Sequence, residues 1–210
     1  MQTDLLRFDK QQKYITWDFE TEGLNLVHSK PWQIAWTVSQ GDKTLEKFDI
    51  YIKWDDLKVS DGAAKVTGFS YEHYQRKAID PIEAFNLFQK YFYDPQYKLI
   101  GQNILGFDVY ILNIWRKLIG LKPDYSFIDR IIDTRCLAMA IAKQIPVQKD
   151  NLISWQYRLL NHRDKKVKAS QLALLKKYEI PFDEKRLHDA IYDCEMTYKI
   201  FKKQLFEIEL

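Results

Sequence analysis

YITWDFETEGL, residues 14–24, is the stretch on which the reading of this chain turns. Tyr14, Ile15, Thr16 and Trp17 are aromatic or β-branched, the composition of a buried strand over 14–19. Side chains alternate faces along a strand, so Asp18 and Glu20 point the same way. Two neighbouring carboxylates repel unless something positive lies between them. Either the strand has run out into water, or the pair holds a cation.

Working outward, Ile34, Trp36 and Val38 alternate with Ala35 and Thr37 in a second strand. Gly41-Asp42 turns the chain, and Phe48, Ile50 and Ile52 mark a third strand antiparallel to the second. Residues 55–79 read as loop. Asp80, Pro81 and Glu83 open a helix whose apolar stripe is Ile82, Phe85, Phe88 and Phe92. YKLIGQN reads as a fourth strand. From about 105 a helix carries Leu105, Val109, Leu112, Trp115 and Ile119 on one face, with Gly120 as its stop. Residues 127–132 suggest a fifth strand, with Asp133 placed to cap the next helix. Helical pattern then covers roughly 134–143, 150–162, 169–178 and 190–207. This order predicts an α/β fold, a mixed sheet flanked by helices.

The 210 residues suit one domain, 1–210, and 46% hydrophobic with 29% charged residues provides both a core and a soluble surface. A net charge of +3 is compatible with a nucleic-acid partner without arguing for one. The first dozen residues include Asp4, Arg7, Asp9 and Lys10 and no apolar run, and no stretch approaches a membrane span. Cys136 and Cys194 make no metal-binding spacing and read as reduced core residues. A cytoplasmic protein without a membrane segment is expected.

Two further acids stand out. Asp108 heads the stripe of Leu112, Trp115 and Ile119, and Asp193 lies one turn from Met196 and two from Ile200. An ionised carboxylate on an inward stripe is costly unless paired or bound to metal. His188 lies five residues before Asp193. Within one helix that offset would turn them apart, but with Asp189 as N-cap His188 falls on the approaching loop and can swing over a site that Asp193 helps to build.

DFETEGL resembles a D-x-E-T-x-G motif, GQNILGFD an N-x-x-x-F-D motif and HDAIYD an H-x-x-x-x-D motif, with their aspartates 90 and 85 residues apart, at 18, 108 and 193. In series they resemble the signature of the DEDDh, DnaQ-like 3′–5′ exonucleases of the ribonuclease H-like superfamily, which include ribonuclease T and oligoribonuclease. The resemblance spans residues 14 to about 205. It implies a ribonuclease H-like fold: a five-stranded mixed sheet flanked by helices.

By the same resemblance Asp18, Glu20, Asp108 and Asp193 would hold two divalent ions. Oxygen-only donors of this kind suit Mg²⁺ or Mn²⁺. His188 would be the general base, a residue type that titrates near working pH. Thr21 and Leu24 would lie against the 3′-terminal nucleotide, and Asn103 and Phe107 would shape its pocket. The chain departs from the common pattern at Gly101-Gln102-Asn103, where many members have Gly-His-Asn, and at Thr67-Gly68-Phe69, where many have His-Gly-Ile.

The expected substrate is single-stranded or frayed DNA, released as nucleoside 5′-monophosphates. An exoribonuclease of the oligoribonuclease type is the alternative, with RNA 3′ ends as partner. A DNA polymerase or other replication or repair protein is a further expected partner. A non-catalytic binding module is disfavoured, because it has no need of four acids that repel phosphate. Tyr71 and Tyr74 would stack on bases or cover their loop, and the run His162–Lys168 would track a backbone or simply face solvent.

Overall fold

The first strand is longer than its apolar opening suggests. In the computed structural model, which describes residues 6–162 and 164–208, β1 runs Lys13–Thr21 and contains both Asp18 and Glu20. Asp4 of the charged opening and Arg163 of the basic run lie outside the described residues. Strands β2 (Pro31–Gln40), β3 (Lys43–Tyr51), β4 (Tyr97–Gly101) and β5 (Ile131–Asp133) complete one sheet in the order β3-β2-β1-β4-β5. β1 pairs antiparallel with β2 and parallel with β4, and β3 and β5 close the two edges. The expected five-stranded mixed sheet is present.

The described residues form eight α-helices: α1 (Asp61–Thr67), α2 (Tyr71–Lys77), α3 (Pro81–Phe92), α4 (Asp108–Leu118), α5 (Thr134–Lys143), α6 (Leu152–Asn161), α7 (Gln171–Lys177) and α8 (Ala190–Ile208). Trp17 and Phe19 on one face of β1 meet Phe88, Phe92 and Trp115 of α3 and α4, with ring centroids 4.9 to 6.4 Å apart. Such pairs add about 0.5–1.5 kcal/mol each beyond their buried area. Tyr14, on the opposite face, meets Tyr198 and Phe201 of α8. Asp18 and Glu20 share the Tyr14 face by strand alternation, so they point toward α8.

Three local expectations need correction. Residues 55–79 hold two short helices, capped by Ser60 and Ser70, whose hydroxyls accept from the Ala63 and His73 N–H groups. Seven residues are too few to display a helical period, so only the caps signalled them. Ile82 is 53% exposed, and Ala84 takes its place on the buried stripe of α3. Residues 128–130 form a 3-10 turn, which leaves β5 only three residues long. Both cysteines are buried and free, and no described helix is long and apolar enough to cross a membrane.

Gly101 ends β4 where the chain must pass close to its neighbours. A Cβ there would stand 2.2 Å from Ile104 Cγ2 and 3.1 Å from the Trp17 carbonyl oxygen. Gly101→Ala should therefore destabilise the protein by about 1–3 kcal/mol, the usual cost of overpacking. A urea midpoint unchanged from wild type would show that this turn yields freely.

Candidate active site

β4 follows β1 only as far as the Thr16–Ile100 pair, because Gly101 then turns the chain away. The last residues of β1 are left without a strand on that side. Asp108, the first residue of α4, fills the gap, its Oδ1 accepting the Phe19 N–H at 3.1 Å. A crevice at the carboxyl end of a strand, between a parallel and an antiparallel neighbour, is where open α/β sheets place their ligands. A register shift between Glu20 and Thr21 marks a bulge at the same point.

Asp193 arrives from α8. Its Oδ2 accepts the His188 N–H at 3.0 Å, while Oδ1 is buried with no hydrogen-bond partner among the described residues. Asp189 caps the helix as expected, its carbonyl taking the Asp193 N–H at 2.8 Å, and His188 sits exposed on the approach with φ 71°. From α7, Gln171 Nε2 donates to the Asp193 carbonyl and to Thr197 Oγ1, both at 2.9 Å.

Burial raises the proton affinity of all four acids, and for Asp18 and Glu20 the neighbouring acids of the set add to it. Burial first, then the charges of Asp108, Glu20 and Asp193, hold the Asp18 carboxyl well above its ordinary range. Burial, with Asp193 and Asp108, pushes Glu20 up to about 8. Burial also lifts Asp108 and Asp193 to about 7 each, against the opposing pull of the Phe19 and His188 N–H groups. Among the described residues no three such side chains close into a finished cation cage. The cluster is open: near enough for mutual repulsion, not wrapped around one point. A buried carboxylate oxygen without a partner and four acids reluctant to ionise together are what an oxygen-binding divalent ion would relieve.

An open groove of about 770 Å³ begins at His188 and Asp189 and is also lined by Gln33, Asp49, Tyr51 and Phe69. None of the four acids lines it, yet it adjoins them, because Gln33 pairs directly with Glu20 across β1 and β2. Lys65, Arg76 and Lys185 add positive charge to its walls.

The proposed substrate residues fare differently. Leu24 is 87% exposed on the loop after β1. That loop is laced together by Glu22, whose carboxylate accepts the Lys30 and Lys58 N–H groups. Thr21 is buried, its hydroxyl donating to the Gly23 carbonyl at 2.6 Å and its carbonyl accepting the Trp32 indole N–H. Asn103 occupies a left-handed turn at φ 62°, and Phe107 is half-buried against the main core. Tyr74 is buried, its hydroxyl donating to the Ile52 carbonyl, and so it covers the loop instead of offering a stacking face; Tyr71 remains 50% exposed.

Sequence reasoning passed over the groove residues Gln33 and Tyr51, and also Gln171 and Arg135. Their partners lie far along the chain, and nothing in the local pattern marks them. Asp133 was expected only as a helix cap. It does accept the Arg135 N–H at 2.9 Å, but it also takes the Asn103 and Leu105 N–H groups and so holds the turn that precedes Asp108.

A sequence family described as Exonuclease (RNase_T) matches residues 15–201. No curated protein sequence matches the chain. Among solved structures, the zinc-bound E. coli exonuclease I–ssDNA complex superposes with a TM-score of 0.71 at 18% identity, covering 95% of this chain and 41% of that one. E. coli exonuclease I in complex with a dA16 oligonucleotide gives 0.71 and 18%, covering 94% and 41%. An ExoI/SSB-Ct complex gives 0.68 and 17%, covering 94% and 43%. At these identities the likeness is one of fold, and the chain spans about two-fifths of the length of the exonuclease I chains.

Proposed function

The chain belongs to the RNase T exonuclease family, and on that premise we propose that it removes nucleotides one at a time from the 3′ end of single-stranded or frayed DNA. The observation that carries the reading is the meeting of Asp18, Glu20, Asp108 and Asp193 at the end of β1, with His188 tethered to Asp193 at the mouth of an adjoining groove. The four carboxylates would hold two divalent ions, Mg²⁺ or Mn²⁺. Bound there, the ions supply a nucleophile at neutral pH and relief of charge on the leaving oxygen.

The protein's own groups do the rest. His188 takes a proton from the attacking water, an orientation favoured by the backbone bond that fixes its loop on Asp193. Water attacks phosphorus and the bond to the 3′ oxygen of the preceding nucleotide breaks. Phosphate thus leaves with the departing nucleotide as a 5′-monophosphate. Leu24, exposed beside this end of β1, lies against the terminal base, and Lys65, Arg76 and Lys185 draw the strand toward the groove.

A terminal base must be unstacked to reach such a pocket, which costs a few kcal/mol on a paired end and least on a single strand. A 5′-labelled single-stranded DNA should shorten as a ladder, faster than a blunt duplex, while a covalently closed circle survives. Cutting of the circle at a comparable rate would make the protein an endonuclease and end this reading of the site. Running labelled RNA beside DNA decides the substrate: faster decay of RNA would replace the DNA reading with an exoribonuclease.

A further inference from the structure

The Asn103 side chain is held by Arg135. Arg135 Nη1 donates to Asn103 Oδ1 at 2.5 Å, and that oxygen lies so close to Gly106 that a Cβ there would meet it at 2.8 Å, which leaves room for the amide only because residue 106 is glycine. The backbone beneath is gripped too. Fully buried Asp133 accepts the Asn103 N–H and the Arg135 N–H at 2.9 Å each through Oδ1, and the Leu105 N–H at 3.0 Å through Oδ2. One carboxylate therefore sets the starting point of both the side chain that donates and the side chain that accepts.

A guanidinium has donors and no acceptor, so it selects one orientation of the amide. Oδ1 must face Arg135, and Nδ2 must face away. We propose that Arg135 is a positioning residue which, acting through Asn103, fixes the amide nitrogen as an outward donor to an acceptor atom of the 3′-terminal nucleotide. The inference rests on the exonuclease reading above.

The chemistry suits an enzyme that takes every nucleotide in turn. All four bases carry an acceptor at one shared edge position, purine N3 or pyrimidine O2, so a fixed donor engages any of them. A sugar or phosphate oxygen offers the same acceptor chemistry. An amide free to flip would present its oxygen in place of its nitrogen and lose the contact.

The test is a double-mutant cycle on the full chain with 5′-labelled single-stranded DNA, using Arg135→Met, Asn103→Ala and the pair. Each single change should raise KM about tenfold with kcat nearly constant, as expected for one lost hydrogen bond. The double variant should be no worse than Asn103→Ala alone, and Arg135→Lys, which can still donate, should recover part of the loss. Multiplying losses, or a normal KM for Arg135→Met, would overturn the proposal.

An end carrying 3-deaza-2′-deoxyadenosine, which lacks the N3 acceptor, separates the two sources. If the base edge is the partner, wild type loses the same tenfold on it. If a sugar or phosphate oxygen is the partner, wild type is unaffected while Asn103→Ala still suffers. Repeating the cycle as Kd by fluorescence anisotropy with divalent ions chelated keeps the two readings apart. A wild-type chain that binds with the ions chelated, yet still does not cut once Mn²⁺ is restored, would sink the exonuclease reading and leave the coupling of Arg135 to Asn103 measurable.

Discussion

Replacing His188 is expected to cost roughly 10²–10⁴ in turnover, the usual worth of a positioned general base, while the protein stays folded and binds single strands. The choice of substitute matters because residue 188 lies at φ 71°, where a side chain is strained and glycine is not. Its hold on Asp193 runs through the backbone N–H, so any replacement but proline retains that bond. His188→Ala therefore removes the imidazole while keeping the backbone strain the wild type already carries, and His188→Gly removes both. Both should lose activity alike if the ring is the base. Full activity in His188→Gly would show the assignment to be wrong. His73, which lines the same groove, and His162 would then need the same substitution.

Saturating Mn²⁺ should raise the melting temperature, because it binds only where the four carboxylates are gathered. At a free concentration of 100 times Kd, linkage gives about 2.7 kcal/mol, or roughly 5–11 °C for a chain of this size. The effect carries a pH signature. Glu20 at about 8 and Asp108 and Asp193 at about 7 lie above their unfolded values, and Asp18 is raised as well. Acids raised in this sense contribute stability that is fully present below their unfolded pKa and is lost as pH climbs through the folded values. The metal-free protein should thus weaken between about pH 4 and pH 8, and Mn²⁺ should stabilise most at the upper end. Asp18→Asn should shrink the manganese shift and flatten the metal-free pH dependence. A melting curve indifferent to saturating Mn²⁺ at pH 8 would count heavily against a cation site here.

The sheet was legible because its signals are local. Ile34, Trp36 and Val38 declare their strand by alternation, and Asp18, Glu20, Asp108, Asp193 and His188 stand out as polar residues at the ends of apolar elements. Chemistry that depends on residue type and offset could be read in this way. Support that depends on distant partners could not: Arg135 meets Asn103 across 32 positions, and Gln171 meets Asp193 across 22. Helices α1 and α2 were missed because seven residues show no period. Tyr74 was open to a stacking role because sequence does not reveal that its hydroxyl is spent on the Ile52 carbonyl.

The seating of Asp193 on α8 also bears on when, during folding, the site comes together. Its acids are contributed from positions 18, 108 and 193, and α8 is seated by Tyr198 and Phe201 against Tyr14 near the other end of the sequence. Contacts of such long sequence separation form late, after the intervening loop entropy has been overcome. Three of the four acids, Asp18, Glu20 and Asp108, precede His188 and Asp193 along the chain by 80 residues or more. The four acids are thus gathered only once α8 has docked on β1.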